Sequence, residues 1–144
     1  MPESVTLVRN ERLTQAVEYA YAATASLGPA RAVWTAGACP LDGDGDTVAV
    51  GDYAGQARQV MRNLEEALRG AGASLGDVVK TTVYVASSRQ EDLVEAWQVV
   101  RKHMGDHDAP STLLGVAVLG YTDQLVEVEA VAVVDDPSAS SSGH

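Results

Sequence analysis

Two carboxylates stand two residues apart in the stretch Gln124 to Val134, where Leu125, Glu127, Glu129 and Val131 alternate with Val126, Val128, Ala130 and Ala132. That alternation predicts a β-strand with one apolar side and both carboxylates on the other. Such a pair can do acid/base work where its face lines a cleft, and is a solvated edge where it does not. Upstream, Pro110 is followed by Ser111 and Thr112. Their hydroxyls can bind a neutral ligand or a polarised water, or satisfy turn backbone. A serine nucleophile needs a base, and no His or Lys stands beside Ser111 in sequence.

Three other groupings invite chemistry. Asp42, Asp44 and Asp46 occupy alternate positions, as in a calcium loop, but the required sixth-place glycine is Thr47 and the twelfth-place glutamate is Tyr53. A hairpin or exposed turn is the expectation, and no metal. His103 and His107 have the spacing for a shared metal on a helix, but Gly105 lies between them and no HExxH pattern is present, so both read as surface histidines. Cys39 is the single cysteine. It can form no intrachain disulfide or cysteine cage, and with no charged partner close in sequence it reads as a small buried hydrophobe.

The elements that must position these groups follow from composition and pattern. A chain of 144 residues is one ordinary domain, long enough to bury roughly 70% of its unfolded surface. With 46% hydrophobic residues and no Phe, its core must be built from Val, Ala and Leu. The net charge of −10, with basic residues scattered, argues against nucleic acid as a partner. The N-terminus shows no basic region followed by an apolar run, and no stretch approaches the roughly 20 apolar residues of a membrane span. A cytosolic protein with no membrane association is expected.

Along the chain, Val5 to Arg9 predicts a short strand, Glu18 to Ala23 a second with Tyr19 and Tyr21 on one face, residues 26–30 a turn, and Arg31 to Ala36 a strand containing Trp34. Asp52 can cap a helix from Tyr53 to Arg69, with Ala57, Val60, Met61, Leu64, Ala67 and Leu68 as its apolar stripe. The Gly-rich residues 70–74 end it. Val78 to Val85 predicts a strand whose apolar side carries Val79, Thr81, Val83 and Val85. Ser88 and Glu91 form a possible capping box for a second helix, which buries Leu93, Ala96, Trp97, Val100 and Met104 and stops at Gly105. Residues 135–144 are small and polar and predict a disordered tail after a domain over 1–134. The class is α+β: a mixed sheet with two helices on one face, whose other face needs a cover made by further copies of the chain.

Residues 51–68, residues 72–85 and the run ValGluValGluAlaValAlaVal resemble the RidA family, also called YjgF or L-PSP, and TrpThrAlaGlyAlaCysProLeuAsp fits that family's early strand. The resemblance runs from about Val33 to Val134. It implies a chorismate-mutase-like fold and a homotrimer with three intersubunit clefts. It also implies hydrolysis of reactive enamines and imines such as 2-aminoacrylate, without metal or organic cofactor. Several of the family's site positions are altered. The arginine that holds the substrate carboxylate after the proline turn is replaced at Ser111, a lost anion contact of ~1.5–3 kcal/mol. The serine of the early SerGly pair is Ala36 before Gly37, and an asparagine of the second helix is replaced by Trp97. The cleft tyrosine corresponds to Tyr19 or Tyr21, and an arginine such as Arg31 or Arg9 of a neighbouring subunit can stand in for the missing cation. Glu127 matches the carboxylate that positions the attacking water. The resulting expectation is a small-metabolite cleft with Glu127 as general acid/base, Gly37, Ala36, Ser111 and Thr112 shaping it, and Leu113 and Trp97 narrowing it. A trimeric binding or assembly protein without chemistry is the alternative, and a ribonuclease a distant third.

Overall fold

The structure, a computed structural model, describes residues 3–135. Six strands, β1 (Val5–Val8), β2 (Ala22–Leu27), β3 (Ala30–Thr35), β4 (Val78–Ala86), β5 (Ser111–Val116) and β6 (Val126–Asp135), form one sheet in the order β1-β2-β3-β6-β4-β5. Only β4 and β5 run parallel, and the helix that connects them is the crossover a parallel pair requires. Helices α1 (Tyr53–Gly70) and α2 (Gln90–Met104) cover one face.

Register explains the layering. On β6, Val126, Val128, Ala130 and Ala132 are buried and pack with the α1 stripe of Ala57, Val60, Met61, Leu64 and Leu68, while Glu127, Glu129 and Val131 point away. Asp52 caps α1 by accepting the Gly55 N–H at 2.9 Å. Gly105 ends α2 with φ 66°, a left-handed conformation that glycine adopts without strain. The turn between β2 and β3 uses Gly28 in the same way at φ 76°.

Four expectations are corrected. The second strand is Ala22–Leu27, so Tyr19 and Tyr21 precede it in a loop. A bulge between Val78 and Lys80 turns Val78 into the core and leaves Val79 exposed, although Thr81, Val83 and Val85 are buried as the alternation predicts. Ser88 caps nothing at α2. Instead Ser87 accepts the Arg89 N–H at 2.9 Å and donates to Asp92 at 2.7 Å. Finally, β6 extends through Asp135, and the rest of the expected tail, 136–144, lies outside the described residues.

The helix-free face is apolar over much of its area. Leu7, Ala23, Leu27, Trp34, Val131, Val133 and Leu114 share it with Lys80, Thr82, Tyr84, Glu127 and Glu129. Trp34 is 46% exposed there.

Candidate functional site

Glu127 enters the site through its strand position. In β6 it is paired with Tyr84 of β4, and the alternation that buries Val126 and Val128 turns its carboxylate to the helix-free face. One carboxylate oxygen is held. Glu127 Oε1 accepts from Gln124 Nε2 at 3.1 Å and from Cys39 Sγ at 3.4 Å. Among the described residues Oε2 has no protein donor, and no buried polar side-chain atom is left unsatisfied, so Oε2 is accessible to a water. Gly37 lies directly against this carboxylate, because a Cβ there would overlap Oε2 and Cδ of Glu127. Glycine is what the close approach requires.

Gly37 and Cys39 form part of the wall of a cavity of about 120 Å³, shared with Ala36, Tyr19, Tyr21, Arg12 and Asn63 among others. Glu127 thus stands behind two wall residues. Tyr19 and Tyr21 pack edge to face, with ring centroids 6.1 Å apart. The Tyr19 hydroxyl pairs with that of Tyr121 at 3.0 Å, and Tyr21 donates to the Thr14 carbonyl at 2.5 Å. Burial pushes both phenols above their usual range, Tyr19 further than Tyr21, so both stay protonated as hydrogen-bond donors.

Cys39 is buried as the sequence suggested, yet a charged partner comes to it from 88 residues away in Glu127. Burial first, then the Glu127 charge and hydrogen bond, push its thiol up to about 12. It is a proton donor that orients Glu127, and a poor nucleophile. Helix α1 fixes this corner. Asn63 Nδ2 donates to the carbonyls of Cys39 and Leu41, both at 2.9 Å. The fully buried Gln56 accepts the Leu125 N–H at 2.7 Å and donates to the Asp123 carbonyl at 2.9 Å, which sets the start of β6.

The residues expected in one cleft divide between the two sides of the sheet. Thr112 shares the face of Glu127, as its register with Thr82 and its bond from Lys80 Nζ at 2.5 Å require. Ser111 and Leu113 face the helices. The Ser111 hydroxyl pairs with Thr81 Oγ1 at 2.7 Å, and Leu113 packs on the core. Trp97 lines a separate hollow of about 190 Å³ with Thr81, Met104 and His107. Of the two hydroxyls after Pro110, Thr112 is the one on the Glu127 face within a single chain. Arg31 is engaged by the Ala71 carbonyl at 2.6 Å and Arg9 by the Tyr19 carbonyl at 2.9 Å.

Glu129 accepts a short hydrogen bond from Tyr84, which pushes that phenol up to about 12, and burial adds to the shift. Asp42, Asp44 and Asp46 form a hairpin turn: Leu41 bridges Thr47, and Asp42 Oδ1 accepts the N–H groups of Asp44 and Asp46, both at 3.0 Å. His107 contacts the Val78 carbonyl at 2.7 Å and His103 contacts Glu65 at 3.4 Å, so the two histidines share no site. Among the described residues no helix is long and apolar enough to cross a membrane.

Sequence reasoning missed Gln124, Asn63 and Gln56. A signal existed for the last two, since Gln56 and Asn63 stand four before and three after Val60, on the buried side of α1. An amide at stripe spacing marks a buried hydrogen-bonding role.

Comparison with known proteins gives consistent matches. A profile of the family described as "Endoribonuclease L-PSP" matches residues 10–134. A 2-iminobutanoate/2-iminopropanoate deaminase of Salmonella typhimurium is 35% identical over 104 residues, covering 70% of this chain and 78% of that protein. A RutC family protein of Pyrococcus horikoshii is 33% identical over 100 residues, covering 69% and 77%. The crystal structure of E. coli TdcF with bound serine is similar at TM-score 0.74 and 27% identity, covering 90% of this chain and 99% of that one.

Proposed function

Because the chain belongs to the L-PSP family, also called RidA or YjgF, and has its fold of two helices on a mixed six-stranded sheet, we propose that it hydrolyses small reactive imines or enamines in the cavity beside Gly37. The observation that carries the reading is the state of Glu127: Oε1 is fixed by Cys39 and Gln124, while Oε2 is free against the cavity wall. A carboxylate so held can accept a proton from water. The water oxygen bonds to the imine carbon, and its proton passes through Glu127 to the nitrogen. The hydroxyl proton of the resulting carbinolamine then passes to the nitrogen, again through Glu127, as the C–N bond breaks and its electron pair leaves with nitrogen, giving a carbonyl compound and ammonia. Every atom comes from imine and water, so the reaction is balanced without an oxidant or a cofactor.

Gly37 and Ala36 shape the wall, and Tyr19, which can accept from Tyr121 and keep its own proton, offers a phenol to the leaving nitrogen or the new carbonyl, whereas the Tyr21 proton is committed to the Thr14 carbonyl. Thr112 is the β5 residue placed to contact a ligand on the Glu127 face. Ser111, Leu113 and Trp97 act from behind the sheet, through packing. The apolar helix-free face supports a homotrimer in which the cleft is completed between copies, since an exposed apolar face of this kind is an interface in waiting.

The test is ammonia release from freshly generated imines. Release faster than in buffer, with the matching carbonyl product, is expected; release at the buffer rate for carboxylated and neutral imines alike would contradict the proposal. A non-catalytic binding protein is the second reading, and the uncharged Ser111, standing where the family resemblance implies an arginine, favours it. That reading predicts thermal stabilisation by ligands with no turnover. A ribonuclease is disfavoured by the net charge of −10, which repels phosphate backbones.

A further inference from the structure

We propose that Arg12 is the anion-binding residue of this cavity, so that the cation absent from β5 is supplied by the loop between β1 and β2 and the site takes small monocarboxylates. The inference rests on the cavity being the ligand site, as in the reading above. Arg12 lines the cavity together with Gly37 and Tyr21. Its only ionic contact among the described residues is Nε to Glu66 at 3.8 Å, and its side chain is 73% exposed. That contact is weak because Glu66 is already occupied: Arg69 bonds both of its oxygens, at 2.6 to 2.9 Å. The terminal nitrogens of Arg12 are therefore free to fork onto a carboxylate, the geometry a guanidinium suits.

The loop that carries Arg12 is built to hold its place. Asn10 Oδ1 accepts the Arg12 N–H at 2.9 Å, and Asn10 Nδ2 donates to the Glu66 carbonyl of α1 at 2.8 Å. Leu13 and Thr14 are buried, and Tyr21 closes the loop onto the Thr14 carbonyl. The other charge on the wall, Asp42, has Oδ1 directed to the backbone N–H groups of its own hairpin. Arg9 and Arg31 are committed to backbone carbonyls and do not line the cavity, and among the described residues Arg12 is the one Lys or Arg that does.

The experiment titrates the whole protein, followed by NMR, with pyruvate and with its neutral isostere pyruvamide, for wild type, Arg12→Gln and Arg12→Lys. Ammonia release from 2-iminopropanoate is measured in parallel. Pyruvate affinity should fall ~10- to 100-fold in Arg12→Gln and by less in Arg12→Lys, while pyruvamide binding and the melting temperature stay unchanged. Pyruvate binding that is absent from the wild type, or equal in wild type and Arg12→Gln, overturns the inference; in the second case continued ammonia release leaves the deaminase reading standing. Arg12-dependent pyruvate binding in a wild type that releases no ammonia supports the inference and removes the deaminase reading.

Discussion

At the scale of single residues, the account turns on a carboxylate, a glycine and a thiol that meet although they are distant in sequence. Gly37→Ala would drive a methyl carbon into Glu127 Oε2, so the carboxylate must swing away. Imine hydrolysis should fall by about 10²-fold, the lower range for losing a positioned acid/base group, with the fold retained by circular dichroism; undiminished hydrolysis would separate Gly37 from the chemistry. Cys39 gives a pH prediction. Its thiol holds its proton up to about 12, from an ordinary value of 9.0. Between those values the unfolded chain binds fewer protons than the native one, so stability falls as pH rises through that window. Thermal unfolding across pH 8 to 10 should show this slope in the wild type and a shallower one in Cys39→Ser; identical slopes would mean that the thiol titrates normally. The placement of Glu127 on the helix-free face was legible in the sequence, because alternation set it opposite the apolar side of its strand. The Cys39 contact was not, since the two residues stand 88 positions apart and no pattern between them announces the meeting.

At the scale of elements, α1 and β6 position the site through buried amides as well as through the Val, Leu and Met stripe. Gln56→Ala would leave the Leu125 N–H and the Asp123 carbonyl without their partner where β6 begins. Stability should drop by about 2–4 kcal/mol in urea unfolding, as expected for two buried backbone groups left unsatisfied, and a drop below about 1 kcal/mol would show that water replaces the amide. Both helices, and the strands with regular alternation, were readable within a residue or two from stripe spacing and caps. Reading failed where local geometry departs from the period. The bulge at Val78 and Lys80 inverts Val79, and the loop at Tyr19 and Tyr21 mimics strand alternation without being paired. At β5 the register separates Ser111 and Thr112, which the sequence sets side by side. Successive strand residues point to opposite faces, so one serves the core and the other the Glu127 side.

At the scale of the whole molecule, the sheet presents a helix-free face with Trp34, Leu114, Leu27 and Val133 exposed on it. The apolar character of that face was inferable from the Val and Ala content of the strands, whereas a homotrimer covering it came only from resemblance. A charge placed on this face tests the cover. Trp34→Glu should shift the sedimentation mass from three chains to one and abolish hydrolysis, because the proposed cleft is completed between copies; an unchanged mass would locate the interface elsewhere. The claim on which the rest depends is that Glu127 moves the proton between water and the imine nitrogen. It is tested most directly by single-turnover ammonia release from 2-iminopropanoate with wild type and Glu127→Gln at equal protein concentration. The account predicts a rate at least ~10²-fold lower for Glu127→Gln with the oligomer intact, and equal rates would contradict it.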